Sequence, residues 1–383
     1  MVSEAGAGHS SGAHIALISW NEIVFLSKTF GRGGDDGREL IIMSDSLDGF
    51  VAAQLREHRV PGLSLAISHA GRVVKAQGYG FTDRMEQHPV TPATLFQAAS
   101  VSKCLTALAV LRLVEQGRLA LNEAVYWRLQ GWKVPAANAG VAGRVTLRRL
   151  LCHNAGFSQH GFPGYAAGEA LPTLVEVLNG TAPAKTQAIR LVVAYGVEPR
   201  YSGGGYTVLQ QLLVEVAGRS FPELMRELVL EPLGMTASTF AQPLPERLAA
   251  GAALGHGADG QPVPGGAYIY PEMAAAGLWT TAADLACYIM GIQQAYAGHA
   301  GAILSAELTR EMLTPQAGAY GLGPLVSGTG RALHFHHSGR NKGFDAMLMG
   351  MAETGAGVVI MVNANVGPQL LKAILQAGFA ERV

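Results

Sequence analysis

The feature that most constrains this chain is where its strand-like stretches fall. Leu63 to His69 and Arg72 to Tyr79 read as two strands joined by a turn at Ala70-Gly71, early in the chain. Leu333 to His337, Ala346 to Met351 and Gly357 to Val362 read as strands near its end. The apolar periodicity between them is helical. Such a chain has to build one sheet from both termini and carry a helical region inserted between them. The expected fold is therefore α/β in the α+β sense: a central antiparallel sheet flanked by helices, with a mainly helical insert. The expected divisions are an irregular extension over 1–43, a sheet domain over 44–120 and 285–383, and the insert over 121–284.

Helices are expected at Ser44 to Arg59, Val145 to Leu151, Tyr206 to Ala217, Phe221 to Leu230, Ala283 to Gln294 and Pro368 to Ala380. The first carries Leu47, Phe50, Val51 and Leu55 on one face and ends at Pro61-Gly62. Phe157 to Gly168, rich in Gly, Pro and aromatics, reads as a surface loop or a lid over a site.

Of 383 residues, 49% are apolar and 15% charged, which is ample for a core and too few charges for a disordered chain. Basic and acidic residues balance at 28 each, so no positive field exists to draw in nucleic acid or an anionic membrane. No apolar run reaches the ~18 residues of a membrane span. His14 to Leu26 comes nearest, is interrupted by Asn21 and Glu22, and makes a poor signal peptide, so a cytoplasmic location is the expectation. Cys104, Cys152 and Cys287 are odd in number and far apart, which argues against a disulfide framework.

Phe96-Gln97-Ala98-Ala99-Ser100-Val101-Ser102-Lys103 carries the chemistry. Leu105, Leu108, Ala109, Leu111, Leu113 and Val114 mark an apolar helix behind it, closed at Gly117. Ser100 then sits at a helix N-terminus with Lys103 one turn up the same face. An ammonium beside a hydroxyl favours the alkoxide, and the helix's positive end adds to that. The bland alternative is a Ser cap and a solvated Lys.

Two further stretches decide between them: Tyr201-Ser202-Gly203 on a turn, and His337-Ser338-Gly339-Arg340-Asn341 at a strand end, followed by Gly343-Phe344. In this order and spacing the three stretches resemble the serine β-lactamase and penicillin-binding-protein superfamily. Within it they are most similar to class C β-lactamases, D-amino-acid-specific peptidases and family VIII carboxylesterases. Leu150-Leu151-Cys152-His153-Asn154-Ala155-Gly156, Glu231-Pro232-Leu233-Gly234-Met235 and Gly277-Leu278-Trp279-Thr280-Thr281 support the resemblance, as does Gly357 to Asn363; together it covers roughly residues 46–380.

The resemblance implies a serine hydrolase acting on a small-molecule or short-peptide acyl substrate, with no cofactor and no metal. Ser100 would be the acylated nucleophile, Lys103 would keep its hydroxyl poised to lose a proton, and Tyr201 would act as base and then as donor to the leaving group. Lys103 is expected to lower the Tyr201 pKa. Which of the two takes the Ser100 proton stays open. Backbone N–H groups of Ser100 and Arg340 would hold the oxyanion, with Gly339 letting the strand come close. Ser202 lies in the second motif, and Trp279, Phe344, Phe162 and Tyr165 would line an acyl pocket or be ordinary core.

Two departures bear on substrate. His337 stands where β-lactamases place a Lys, so a fixed ammonium for a β-lactam carboxylate is missing; Arg340 or Lys342 would have to replace it. Gly203 stands where the family places an Asn that grips the substrate amide. Both disfavour β-lactam turnover and leave esters, amides and peptides. The same triad would also serve an acyltransferase or an acyl-binding sensor that does not turn over. His334 and His336 share a strand face but lack an evident third metal ligand, and His153 reads as a packed helix end.

Overall fold

The computed structural model describes residues 46–83, 88–134, 143–192 and 198–381. The expected irregular extension over 1–43 lies outside the described residues. Residues 44–383 form one compact unit.

The strands are β1 (Gly62–His69), β2 (Arg72–Gly80), β3 (Phe96–Gln97), β4 (Trp279–Thr280), β5 (Leu325–Ser327), β6 (His334–Asn341), β7 (Phe344–Met351) and β8 (Gly357–Val362). Six of them make one antiparallel sheet in the order β2-β1-β8-β7-β6-β5. The two ends of the chain meet in it where the early β1 pairs with the late β8, Leu63 opposite Val362 and Ser68 opposite Gly357. β7 and β8 are buried at every residue, so they are covered on both faces. β3 and β4 form a separate two-stranded ribbon, Phe96 opposite Thr280 and Gln97 opposite Trp279.

The described α-helices are α1 (Leu47–Glu57), α2 (Ser102–Glu115), α3 (Leu147–Leu151), α4 (Leu174–Asn179), α5 (Gly203–Ala217), α6 (Phe221–Met225), α7 (Glu246–Ala249), α8 (Met273–Ala276), α9 (Ala282–Ala297), α10 (Ala306–Met312) and α11 (Pro368–Ala380). Successive residues of a strand point to opposite faces. A side chain at Gly357 would press on Ile289 of α9, while Val358 meets Gly378 of α11. The sheet is therefore sandwiched between α9 on one face and α11 on the other. A continuous hydrophobic cluster joins Ala66, Val359 and Met361 of the sheet to α2, α5 and α9.

Three expected elements come out differently. The third motif is strand throughout, β6 running on past His337 to end at Asn341, because residues 338–341 pair with 344–347 of β7. Gly203, Gly204 and Gly205 form the first turn of α5 and not a loop before it: Ser202 caps the helix by accepting from the Gly205 N–H. These glycines serve packing, since a Cβ on Gly204 would fall 2.5 Å from the Ser158 carbonyl and one on Gly203 2.8 Å from the Phe162 ring. The helix expected at 221–230 changes to a π-type turn at Arg226–Leu230, where Arg112 donates to the Leu228 carbonyl.

Candidate active site

Ser100 lies in a single 3₁₀ turn, Ala99–Val101, that leads directly into α2. Ala99 holds φ +48°, a left-handed conformation costly for alanine. Ser102 fixes this turn, its hydroxyl donating to the Ala99 carbonyl at 2.5 Å and accepting from the Leu278 N–H at 3.0 Å. The turn thus presents Ser100 at the start of an almost wholly buried helix.

Lys103 is 2% exposed. Its ammonium donates to Ser100 Oγ at 3.0 Å and to the Ala275 carbonyl at 2.8 Å. Burial pulls its pKa from 10.5 down to about 7. Nζ lies 5.0 Å from the ring centre of Tyr201 and 5.7 Å from that of Tyr206.

Tyr201 precedes α5. Its ring packs between His153 at 4.4 Å and His160 at 4.8 Å, with His337 and Tyr320 at 6.2 and 6.4 Å. Burial holds its pKa well above the ordinary phenol value, and a hydrogen bond with the Ser100 hydroxyl draws it the other way. The expectation of a lowered Tyr201 pKa is corrected on this point. Desolvation of the buried phenol outweighs the opposing hydrogen bond with the Ser100 hydroxyl.

The third motif meets the Ser100 turn edge-on. β5 pairs only with His334–His336, so β6 from His337 onward has no strand on that side, and the Ser100 turn packs there. A Cβ on Gly339 would sit 2.2 Å from the Ala98 carbonyl and 2.8 Å from Ser100 N. His337 is buried; its Nδ1 lies 2.6 Å from the Ser338 carbonyl, which makes Nδ1 the protonated nitrogen and Nε2 an acceptor with no partner among the described residues. Burial, then the nearby Lys103 charge, push its pKa down to about 3, so it is neutral near pH 7. Arg340 does not offer a free cation. Its guanidinium grips Asp345 at 2.7 and 2.6 Å and also reaches the Val366 carbonyl.

The remaining residues named from the sequence are placed as follows. Ser202 Oγ donates to the Ser158 carbonyl while it caps α5, so its hydroxyl is fully engaged. Trp279 and Phe344 are packed edge-to-face at 5.6 Å in the core, 3% and 0% exposed. Tyr165 is buried too, while Phe162 covers the start of α5. His153 follows α3 at φ +58°, with Nδ1 accepting from the Ser202 N–H. It supports Tyr201 from below. Sequence reasoning missed the Ala275 carbonyl, His160 and Tyr320. A backbone carbonyl carries no side-chain signature, and the two rings sit in stretches without a motif.

A sheet sandwiched by helices, with Ser100, Lys103, Tyr201 and the His337-Ser338-Gly339 stretch brought together beside β6, is the frame of the β-lactamase and penicillin-binding-protein-like fold. The Beta-lactamase family model matches residues 47–379, and the chain belongs to that family. Esterase EstB of Burkholderia gladioli is 32% identical over 214 residues, 53% of each chain. Protein flp of Staphylococcus aureus (strain MW2) is 29% identical over 199 residues, 51% of this chain and 38% of that one. The chain thus spans about half or less of these curated relatives. The octameric penicillin-binding protein homologue from Pyrococcus abyssi superposes with TM-score 0.71 at 27% identity, covering 87% of this chain and 76% of that one. D-alanine carboxypeptidase AmpC from Burkholderia cenocepacia shares the fold at TM-score 0.69 and 20% identity, covering 87% and 98%. Among the described residues no helix is long and apolar enough to cross a membrane.

Proposed function

We propose that this chain is a serine hydrolase that cleaves a carboxylic ester, amide or peptide bond through an acyl-enzyme on Ser100. The observation that carries the reading is the buried Lys103 amine 3.0 Å from Ser100 Oγ, with a pKa of about 7. Burial thus makes the neutral amine, able to take a proton, accessible near neutral pH, whereas the Tyr201 phenol stays protonated. Lys103 is thus the better base and Tyr201 the better acid.

Ser100 Oγ attacks the carbonyl carbon as its proton passes to Lys103. Backbone N–H groups of Ser100 and Arg340 hold the oxyanion, on the strand that Gly339 lets approach. Tyr201 protonates the departing alkoxide or amine and regains a proton from Lys103. Water then repeats the sequence on the acyl-enzyme, releasing the acid. Proton transfer of this kind contributes on the order of 10²–10⁴-fold, and each oxyanion donor ~10²–10³-fold. The esterase among the relatives supports ester chemistry. The neutral His337 and the engaged Arg340 leave no cation for a β-lactam carboxylate among the third-motif side chains, which supports weak or no β-lactamase activity.

The test is a panel of p-nitrophenyl esters, D- and L-aminoacyl amides, short peptides and a chromogenic cephalosporin, with Ser100→Ala as blank. Esters or peptide-like amides should clearly outpace the cephalosporin, and acyl mass should appear on Ser100. Full activity in Ser100→Ala would end the proposal.

A further inference from the structure

A four-residue helix cannot satisfy its own final carbonyls. In α8 three side chains from elsewhere take them in succession. Thr106 Oγ1 donates to Ala274 O at 3.0 Å, Lys103 Nζ to Ala275 O at 2.8 Å, and Asn341 Nδ2 to Ala276 O at 3.0 Å. Asn341 is 4% exposed and lies two residues past Gly339, on the same face of β6. The second proton of its amide goes to Gln97 Oε1 at 2.8 Å, and Gln97 Nε2 in turn donates to the Tyr268 carbonyl at 2.7 Å. One amide therefore ties together the strand that carries Gly339, the ribbon strand immediately before Ser100, and the helix end that clamps Lys103.

We propose that Asn341 is a positioning residue for the Ser100 site: its amide fixes the α8 carboxyl end against β6 and so holds the Ala275 carbonyl on Lys103. This rests on the acyl-enzyme reading for its effect on rate, but the clamp itself is a matter of structure. Without the amide, the buried Ala276 carbonyl and Gln97 Oε1 both lose their donor, and a buried group without its partner drives local rearrangement. The helix end turns toward other donors, Ala275 O leaves Lys103, and water reaches the amine. Loss of that acceptor disfavours the ammonium, but water takes its place and lifts the desolvation that dominates the shift, so the pKa rises. Misplacement of a catalytic group by about 1 Å costs on the order of 10²-fold.

The experiment compares the parent chain with Asn341→Leu, near in volume but without donors, and Gln97→Met, which leaves the Ala276 contact intact. Lys103 is titrated by NMR of lysine labelled at Cε, and kcat and KM are measured against pH on the best ester. Asn341→Leu should raise the Lys103 pKa by about one unit or more. The acid limb of kcat/KM should move with it, and kcat should fall by roughly 10- to 100-fold while KM changes little. Gln97→Met should leave the lysine titration nearly in place. If Asn341→Leu does not fold, Asn341→Ser is read on the same two measurements. A folded Asn341 variant with an unmoved Lys103 titration overturns the proposal, and so does an equal shift in Gln97→Met. Absence of Ser100-dependent turnover in the parent would sink the acyl-enzyme reading, and the lysine titration would still decide the role of Asn341.

Discussion

Gly339→Ala is the sharpest perturbation the structure offers. The new Cβ would lie 2.2 Å from the Ala98 carbonyl oxygen, 2.8 Å from Ser100 N and 3.0 Å from Ala99 Cβ. Ordinary contact between such atoms starts near about 3.4 Å, so the closest pair is short by about 1 Å. The obstructing oxygen is backbone and well anchored, since Ala98 N donates to Leu278 O and Ala98 O accepts from Val101 N. It cannot swing aside as a long side chain would. β6 must retreat by about 1 Å, and the Arg340 N–H retreats with it. On the proposed mechanism that N–H is an oxyanion donor, and moved so far it is effectively lost, at ~10²–10³-fold in rate, about 3–4 kcal/mol. Release of p-nitrophenol in a single turnover measures acylation directly, and circular dichroism reports the fold. We expect kcat/KM to fall at least about 100-fold with KM little changed. A folded Gly339→Ala protein within threefold of the parent, on turnover that Ser100→Ala abolishes, would refute the reasoning.

Two other predictions follow from buried ionisable groups. With Lys103 acting as base at a pKa of about 7, kcat/KM should rise with pH through an apparent pKa near 7 and then level; a flat profile between pH 6 and 8 would contradict that role. Glu272, 0% exposed and with neither carboxylate oxygen partnered by another of the described residues, has its pKa raised by burial from 4.5 to about 7. A raised carboxyl pKa means stability that is present below the unfolded value and lost as pH climbs through about 7. Glu272→Gln should therefore stabilise the protein at pH 8 by up to about 3 kcal/mol, with the gain vanishing toward pH 4.5. Urea unfolding at pH 5 and pH 8 checks this, and equal destabilisation at both would rule it out.

The parts of the fold that composition and periodicity revealed are those where every residue is apolar for one reason. β8 runs over Gly357–Val362, the bounds expected, because both its faces are covered. β6 was legible only to His337: Ser338, Gly339 and Arg340 have little intrinsic strand preference, and pairing with β7 imposes the strand on them. The run of glycines before Tyr206 looked like a turn because glycine usually marks one; here it clears space for Ser158 and Phe162. At the site, Ser100, Lys103 and Tyr201 were readable because each brings a reactive side chain within a recognisable spacing. The direction of the Tyr201 shift was not, since it depends on how much water the packed rings of His153 and His160 leave around the phenol. The α8 carbonyls and the Asn341 amide were invisible for a simpler reason: a hydrogen bond between residues 65 or 172 positions apart leaves no local pattern.

The pairing of β1 with β8 has a consequence for biosynthesis. Its partners are roughly 300 residues apart, so a ribosome adding ~5–20 residues per second needs about 15–60 s between making the first and making the second. For most of that interval the nascent chain carries Ser100 without the Gly339 edge that packs against it. On the proposed mechanism, activity therefore waits for the arrival of the final strands.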